Sequence, residues 1–311
     1  MEPRKFIDFI ITQKCTYKCP YCSQSKLQAC NPKNTNKETI HAFYRLLDSL
    51  DKDFEITITG GEALLHPDFF EIIETVKAKG FKINLITNLS SNIKMYDKIF
   101  EVLEDSLNEF DISFHLNQIR DFNLTLEKAR KIIDNIPKST KLNFFIPLYL
   151  IDKKSAAKIE KILKLANEFN IDYEFQKIRF LDKYKKEESE KYLPKYNMQK
   201  TFSKLCFAGC KSAVIYENGN AYRCYSSRFS SSNFLGNIKN EDFSLLGCSK
   251  PCTHLKCGCP KPFKYNQIKE EKNLKLALKN VVADCFLLPK VAIKNMDIVK
   301  IKFKQLFNLN S

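Results

Sequence analysis

The first 180 or so residues predict an α/β fold. Three observations carry that prediction. Short β-branched and aromatic runs recur, longer amphipathic stretches separate them, and the short runs are nearly continuous in apolar residues. Strands that apolar are buried on both faces, as parallel strands covered by helices are. Six strand–helix units imply a layered α/β architecture, either open or curled into part of a barrel.

The expected strands are "FIDFIIT" (6–12), "FEITITG" (54–60), "KINLITN" (82–88), "FDISFHL" (110–116), "KLNFFIPLYL" (141–150) and "YEFQKIRF" (173–180). Helical patterns fall between them near 36–50, 68–79, 92–106, 123–135 and 153–169. In the last, Ile159, Ile162, Leu163, Ala166 and Phe169 share one helical face, with Lys and Glu opposite. Catalytic residues of such a fold sit at the C-terminal strand ends, and a Cys-rich run follows the first strand directly.

After residue 182 the character changes. "KYKKEESEKYLPKYN" reads as a charged connector. "VIYENGNAYRC" reads as a hairpin, because Asn-Gly at 218–219 favours a two-residue turn. A Ser-rich loop follows, and then "CSKPCTHLKCGCP", too dense in Cys, Pro and Gly for a regular element. Residues 264–311 are Lys-rich. Val299, Phe303, Leu306 and Phe307 there fit one helical face, expected to pack on the fold rather than lie on a membrane surface. The expected division is 1–182, 183–263 and 264–311.

The chain carries 51 Lys and Arg against 36 Asp and Glu, a formal net charge of +15. Such an excess can attract nucleic acid or anionic membrane. Here Lys, Asn and Ile abound throughout, which is a compositional habit rather than a patch, and specific nucleic-acid binding is not expected. "MEPRKFIDFIIT" lacks the pattern of a signal peptide, and no run of about 18 apolar residues is present. A cytoplasmic protein is therefore expected.

In a reducing compartment disulfides are rare, so clustered thiols point to metal or catalysis. The 12 Cys lie in three groups, with none between Cys30 and Cys206. In "CTYKCPYC", Cys15, Cys19 and Cys22 form a triplet. Structural zinc needs four ligands, and Cys30 could supply a fourth, so zinc is open by count. Its place at the mouth of the first strand argues against structural zinc. A 4Fe–4S cluster on three thiolates leaves one iron open for a substrate or cofactor.

"CTYKCPYC", with the aromatic Tyr21, resembles the signature of the radical S-adenosylmethionine (radical SAM) superfamily. "ITGGEALLHP" resembles that family's Gly-Gly-Glu-Pro motif at Gly60, Gly61 and Glu62, with Ala63 replacing the usual Pro. "LITN" and "ISFH" are similar to its ribose-contacting positions, at Thr87, Asn88 and Ser113. The resemblance spans roughly residues 5–180. It implies a partial (β/α)6 TIM-type barrel. It also implies a 4Fe–4S cluster on Cys15, Cys19 and Cys22, with SAM chelating the open iron. Gly60 and Gly61 would let backbone carbonyls approach the SAM ammonium, and Glu62 would pair with it. Arg120 is the candidate for the SAM carboxylate. Reductive cleavage would give a 5′-deoxyadenosyl radical that takes a hydrogen atom from substrate, with an electron donor such as flavodoxin or ferredoxin. His66 and His115 are open to structural roles.

Cys206, twelve residues, Gly219, four residues and Cys224, followed by "FLGNI" (234–238), resemble the SPASM/twitch extension of some radical SAM enzymes. The later thiols are spaced three, four and one, a departure from the usual pattern. By that resemblance, one auxiliary 4Fe–4S cluster would use Cys206, Cys210, Cys224 and Cys259. A second would use Cys248, Cys252, Cys257 and Cys285. A single auxiliary cluster, or zinc, is the alternative. Cys30 is left as a small core or loop residue.

These resemblances imply an enzyme that oxidatively modifies a substrate, a peptide or protein foremost. A small molecule or sugar is the alternative. No room is seen before residue 6 for a fused leader-recognition domain, so a peptide would need a separate recognition protein or the basic surface. A non-catalytic iron–sulfur or zinc protein is the reading from another class.

Overall fold

A computed structural model of the chain describes residues 2–22, 31–148, 153–177, 204–225, 233–240, 242–252 and 268–272. Six strands alternate with five helices over the first 177 residues. The order is β1 (Phe6–Thr12), α1 (Lys37–Ser49), β2 (Glu55–Gly60), α2 (Phe69–Ala78), β3 (Lys82–Thr87), α3 (Ile93–Leu103), β4 (Leu107–Ser113), α4 (Phe122–Asn135), β5 (Lys141–Leu148), α5 (Lys153–Glu168) and β6 (Asp172–Lys177). Each strand pairs in parallel with the next. The helices begin where the sequence supplies caps. Asn36, Asn92 and Asp121 each accept a backbone N–H from the first turn of α1, α3 and α4.

The sheet is curled. β1 and β4 are separated by two strands, so a flat sheet would hold them about 14 Å apart. Yet Arg4, just before β1, pairs with Glu109 on β4 at 2.9 Å and with Glu55 on β2. At the opposite rim, Tyr21 beyond β1 hydrogen-bonds His115 beyond β4 at 2.8 Å. This is the α/β architecture expected, with a mostly parallel sheet.

The two faces of the strands differ in chemistry. Ile7, Phe9, Ile11, Ile56, Ile58, Ile83, Leu85, Phe110, Ile112, Phe144 and Ile146 join the helices in one core, where Phe9 stacks on Phe43 of α1 at 4.0 Å. The alternate positions hold Asp8, Thr57, Asn84, Glu109, Asp111 and Asn143, all buried. Asn143 donates to Asp111 across β4 and β5 at 2.8 Å, and Asn84 donates to Glu55 at 2.9 Å. The strands are thus apolar toward the helices and polar on the concave side, rather than apolar on both.

Most expected elements fall within two residues of their observed bounds. β4 is displaced, beginning at Leu107 and ending at Ser113, so Phe114, His115 and Leu116 lie past its end, and positions 149–150 and 178–180, expected to close β5 and β6, lie outside the described residues. The strand starts earlier than "FDISFHL" because its register shifts between Leu107 and Glu109, so that Asn108, bonded to Glu55 and Asn84, and Glu109, paired with Arg4, are successive polar residues that break the alternation.

The hairpin expected around Asn218-Gly219 forms from β8 (Ser212–Ile215) and β9 (Asn220–Tyr222), with Gly219 at φ +86°. β8 pairs in parallel with β1, Phe6 opposite Ser212, and β10 (Phe234–Asn237) adds beyond β9. Among the described residues, one sheet runs β10-β9-β8-β1-β2-β3-β4-β5-β6. β1 therefore has a partner on both edges. A second sheet orders β11 (Lys250–Pro251), β7 (Lys204–Cys206) and β12 (Ile268–Lys272). A two-residue strand therefore forms inside "CSKPC", where no regular element was expected. Within the C-terminal segment, 268–272 is strand rather than helix. Val299, Phe303, Leu306 and Phe307 lie outside the described residues, as do Cys30, Cys257, Cys259 and Cys285. Among the described residues, no helix is long and apolar enough to cross a membrane.

Candidate functional site

The C-terminal ends of β1 to β4 converge on one cluster. Beyond β1, Cys15 and Cys22 are half-buried and Cys19 is buried, and the Cys22 N–H donates to the Cys19 carbonyl at 3.0 Å. Beyond β2, the Gly61 N–H donates to the Thr12 carbonyl and the Glu62 N–H to the Lys14 carbonyl, both at 2.8 Å. These bonds zip the two strand ends together just before Cys15.

The glycines are required by that contact. A Cβ on Gly60 would stand 2.3 Å from the Thr12 carbonyl oxygen, and one on Gly61 2.2 Å from that of Lys14. The close approach that excludes side chains here is between backbone and backbone within the chain.

Glu62 is 1% exposed. Its carboxylate accepts from the Asn88 N–H at 2.8 Å and from the Thr87 hydroxyl at 3.1 Å. Burial pushes this carboxyl up to about 7, against the Asn88 N–H, the Thr87 hydroxyl and the Leu64 N–H. Thr87 in turn meets the hydroxyl of Tyr96, from α3, at 3.1 Å. Asn88 ties the cluster to the thiols, its side-chain amide donating to the Cys15 sulfur at 3.4 Å and to the Thr16 hydroxyl at 3.5 Å. The next residue, Leu89, is buried with φ +60°, a strained conformation for a branched residue, of the kind that concentrates at functional sites.

Beyond β4, His115 faces the thiol loop. Its Nδ1 lies 2.8 Å from the Tyr21 hydroxyl and 3.6 Å from the Cys19 sulfur, and its ring stacks on Tyr21 at 5.9 Å. Burial holds the imidazole down at about 4, so it is neutral at physiological pH. Burial likewise pushes Cys15 up to about 11 and Cys19 up to about 12 as free thiols. The Tyr17 N–H lowers the former and Tyr21 the latter. A bound metal inverts this preference by stabilising the thiolate.

This donor set suits an iron–sulfur cluster. Three thiols share one loop, and N–H donors from Tyr17 and Asn88 point at the Cys15 sulfur, both at 3.4 Å. Among the described residues, no group of three His, Cys, Asp or Glu side chains is placed to hold a single metal ion. A cluster of several irons has a different requirement, since it spreads its sulfur ligands apart.

The structure thus brings together Cys15, Cys19, Cys22, Tyr21, Gly60, Gly61, Glu62, Thr87 and Asn88, with half-buried Ser113 at the end of β4. It does not bring Arg120 to them. That residue is exposed beside the N-terminus of α4, and no described contact joins it to the cluster. His66 is structural, binding the Thr35 carbonyl through Nε2 and accepting the Asp68 N–H at Nδ1. Tyr96 escaped the sequence reading because its hydroxyl hides on the apolar face of α3. Gln13 did too: its amide donates to buried Glu217 at the hairpin tip, linking the thiol loop to the later residues. A cavity of about 850 Å³ bordered by Lys77, Glu101, Glu104 and Asp134 lies at the other end of the strands and takes no part.

Comparison with known proteins decides the family. The sequence model described as "Radical SAM superfamily" matches residues 9–166, just over half of the chain. The chain belongs to the radical SAM superfamily. Among curated relatives, an S-adenosylmethionine-dependent nucleotide dehydratase of Selenomonas ruminantium is 33% identical over 85 residues. That match covers 26% of this chain and 29% of the relative. A GTP 3′,8-cyclase of Vibrio vulnificus is 28% identical over 147 residues, 45% of this chain and 44% of the cyclase. The matches span less than half the length of these relatives. Among solved structures, anSMEcpe with bound AdoMet aligns at a TM-score of 0.54 and 16% identity, covering 77% of this chain and 79% of that one. SuiB of Streptococcus suis, bound to its precursor peptide SuiA, aligns at 0.53 and 13%, covering 77% and 63%. At such identities the likeness is one of fold.

The second thiol field is partly described. Cys206 and Cys252 are buried, Cys210 and Cys224 half-buried, and Cys248 exposed. Burial pushes the Cys206 thiol up to about 12, while the Ala208 N–H and Arg223 pull it down and Cys252 and Cys224 add to the rise. Arg223 itself is 4% exposed.

Proposed function

We propose that this chain binds SAM on a 4Fe–4S cluster held by Cys15, Cys19 and Cys22, and oxidatively modifies a peptide or protein. The observation that carries the reading is the lock between the thiol loop and the "GGE" turn, made by Thr12, Lys14, Glu62 and Asn88. When bound, the cluster and SAM supply reductive carbon–sulfur cleavage and hydrogen-atom abstraction. The protein supplies the setting. Glu62, buried and held by Thr87 and Asn88, offers a carboxylate that an ammonium would ionise fully. Tyr21, Asn88 and Ser113 line the rim where the nucleoside would lie. Leu89 and Phe114, the residues that follow Asn88 and Ser113, are buried in the core and anchor that rim. The region around Cys206, Cys210, Cys224, Cys248 and Cys252 is read as a SPASM/twitch-like extension carrying one or two auxiliary clusters. A cytoplasmic location and a flavodoxin or ferredoxin donor belong to the same proposal.

The peptide reading draws support from SuiB, solved with a precursor peptide, and from a second anSMEcpe structure that holds a peptide. A small-molecule reading draws support from the nucleotide dehydratase and GTP cyclase relatives. Anaerobic reconstitution with iron and sulfide, then SAM and dithionite, should yield 5′-deoxyadenosine. The Cys15→Ala/Cys19→Ala/Cys22→Ala variant should yield none. Equal product from both proteins, or zinc as the bound metal, would sink the enzyme reading. For substrate, mass spectrometry of short reading frames encoded beside the gene should show loss of two hydrogens. The same loss on a nucleotide instead would favour the small-molecule reading.

A further inference from the structure

A hydrogen-bonded chain reaches the Cys19 sulfur from beyond the thiol loop. Burial raises the Cys19 thiol and the Tyr21 side chain pulls it back down, so the Tyr21 hydroxyl donates to the sulfur. The same hydroxyl lies 2.8 Å from Nδ1 of His115, and that nitrogen is itself 3.6 Å from the Cys19 sulfur. Side chains from two rim loops therefore meet at one sulfur.

The hydrogens fix the direction of these bonds. A thiolate only accepts, and a tyrosine hydroxyl has a single hydrogen to give. With Cys19 as an iron ligand, that hydrogen goes to the sulfur. The Tyr21 oxygen must then accept, so Nδ1 of His115 carries a hydrogen and donates it. The chain runs from His115 Nδ1–H to Tyr21 Oη–H to Cys19 Sγ. The 3.6 Å approach gives the imidazole a second, weaker line to the same sulfur.

The turn that carries His115 is held by bonds of its own. The Phe114 N–H donates to the Phe145 carbonyl, and the Gln118 N–H to the His115 carbonyl, both at 2.8 Å. Lys158 of α5 donates to the Leu116 carbonyl at 3.3 Å. The Gln118 side chain accepts the Lys18 N–H, from the thiol loop, at 3.1 Å. Tyr17 meets the imidazole edge-on at 6.0 Å and Tyr21 stacks on it at 5.9 Å. The ring has little freedom to turn Nδ1 away.

We propose that His115 and the Tyr21 hydroxyl form a donor chain onto the Cys19 sulfur that raises the reduction potential of the cluster on the first thiol loop. This rests on the reading that Cys15, Cys19 and Cys22 hold that cluster. It gives the Tyr21 hydroxyl a task separate from that of the ring, which lines the rim where the nucleoside would lie. His115 is a positioning residue here, since its main effect passes through Tyr21. Reduction adds negative charge that spreads onto the thiolate sulfurs, and a donor aimed at a sulfur favours the reduced form. A hydrogen bond that strengthens as its acceptor gains charge shifts the redox equilibrium by about tenfold. For one electron that is about 59 mV.

The test uses the full chain, reconstituted anaerobically with iron and sulfide. The readouts are iron per chain and the midpoint of the reduced paramagnetic resonance signal that the Cys15→Ala/Cys19→Ala/Cys22→Ala variant lacks. Tyr21→Phe keeps the ring and removes the hydroxyl, and its midpoint should fall by about 59 mV. His115→Leu should lower the midpoint similarly. Tyr21→Phe/His115→Leu should lower it little further, because one chain is broken twice. His115→Asn, whose amide nitrogen takes the place of Nδ1, should recover most of the wild-type value. An unchanged midpoint in Tyr21→Phe, or fully additive shifts in the double variant, would overturn the donor chain. Loss of iron from Tyr21→Phe would overturn it too, since a donor that tunes the sulfur is not needed to hold the cluster. If His115→Leu loses the iron, His115→Asn decides: iron and midpoint restored support the chain, and iron lost in both overturns it. Absence of the signal from the wild-type protein would instead refute the cluster reading, and this inference with it.

Discussion

Glu62 is the residue whose environment departs furthest from that of a surface carboxylate. Folded, it keeps its proton up to about 7, whereas the unfolded chain releases it near 4.5. Between those values the native state binds more protons, so its contribution to stability falls as pH rises, by about 3 kcal/mol across the window. His115 works in the opposite direction. Its folded value near 4 lies below the ordinary 6.5, so stability grows with pH from about 4 to 6.5. Denaturant midpoints of the metal-free protein, measured across pH 4–8, should therefore separate the two. The wild-type curve minus that of Glu62→Gln is expected to slope downward with pH and flatten above 7. Tyr96→Phe removes one buried hydroxyl from Thr87 while leaving the bond from Thr87 to Glu62. A loss of about 1 kcal/mol is expected by the same denaturation assay. Cys15, Glu62 and Asn88 were legible in the sequence because each belongs to a short motif at a strand end. Tyr96 and Arg223 were not: a hydroxyl on an apolar helix face and an arginine in a hairpin strand acquire meaning only from partners far along the chain.

Elements β1 and β2 are held at their C-terminal ends by glycines that no other residue can replace cheaply. Gly61→Ala would drive a Cβ into the Lys14 backbone, where no side chain can swing aside. A loss of about 1–3 kcal/mol is expected, with reduced iron uptake on reconstitution. Gly247→Ala is the control, since nothing stands within 4 Å of that position, and it should change stability by less than about 1 kcal/mol. The sequence marks these glycines for a carbonyl approach to a ligand, and the fold adds a demand of its own, the backbone-to-backbone contact with Thr12 and Lys14. Strand and helix positions were legible because apolar periodicity is local. The polar concave face was also written there, as Asp8, Thr57, Asn84, Asp111 and Asn143 at every second strand position. A near-continuous apolar reading conceals it, because in "FIDFIIT" one Asp stands among five apolar residues.

At the scale of the whole molecule, the later residues are built into the first sheet. β8 covers the free edge of β1, and Ile10 packs with Val214, Tyr216 and Tyr222. No local signal announces this, because the pairing of Phe6 with Ser212 joins residues about 200 positions apart. A chain ending at residue 182 would leave the unpaired edge of β1 open, with Ile10 uncovered, and such edges recruit other strands. It is expected to aggregate where the full chain elutes as a defined species, as size-exclusion chromatography of both would show. The same pairing has a consequence in time. At ribosomal rates of about 5–20 residues per second, β1 emerges some 10–40 seconds before β8 can reach it. During that interval the strand that leads into Cys15, Cys19 and Cys22 has one partner at most. Assembly of a metal centre on that loop would then be competing with the final step of sheet closure, and the order in which a cell loads iron and finishes translation becomes part of how this fold is made.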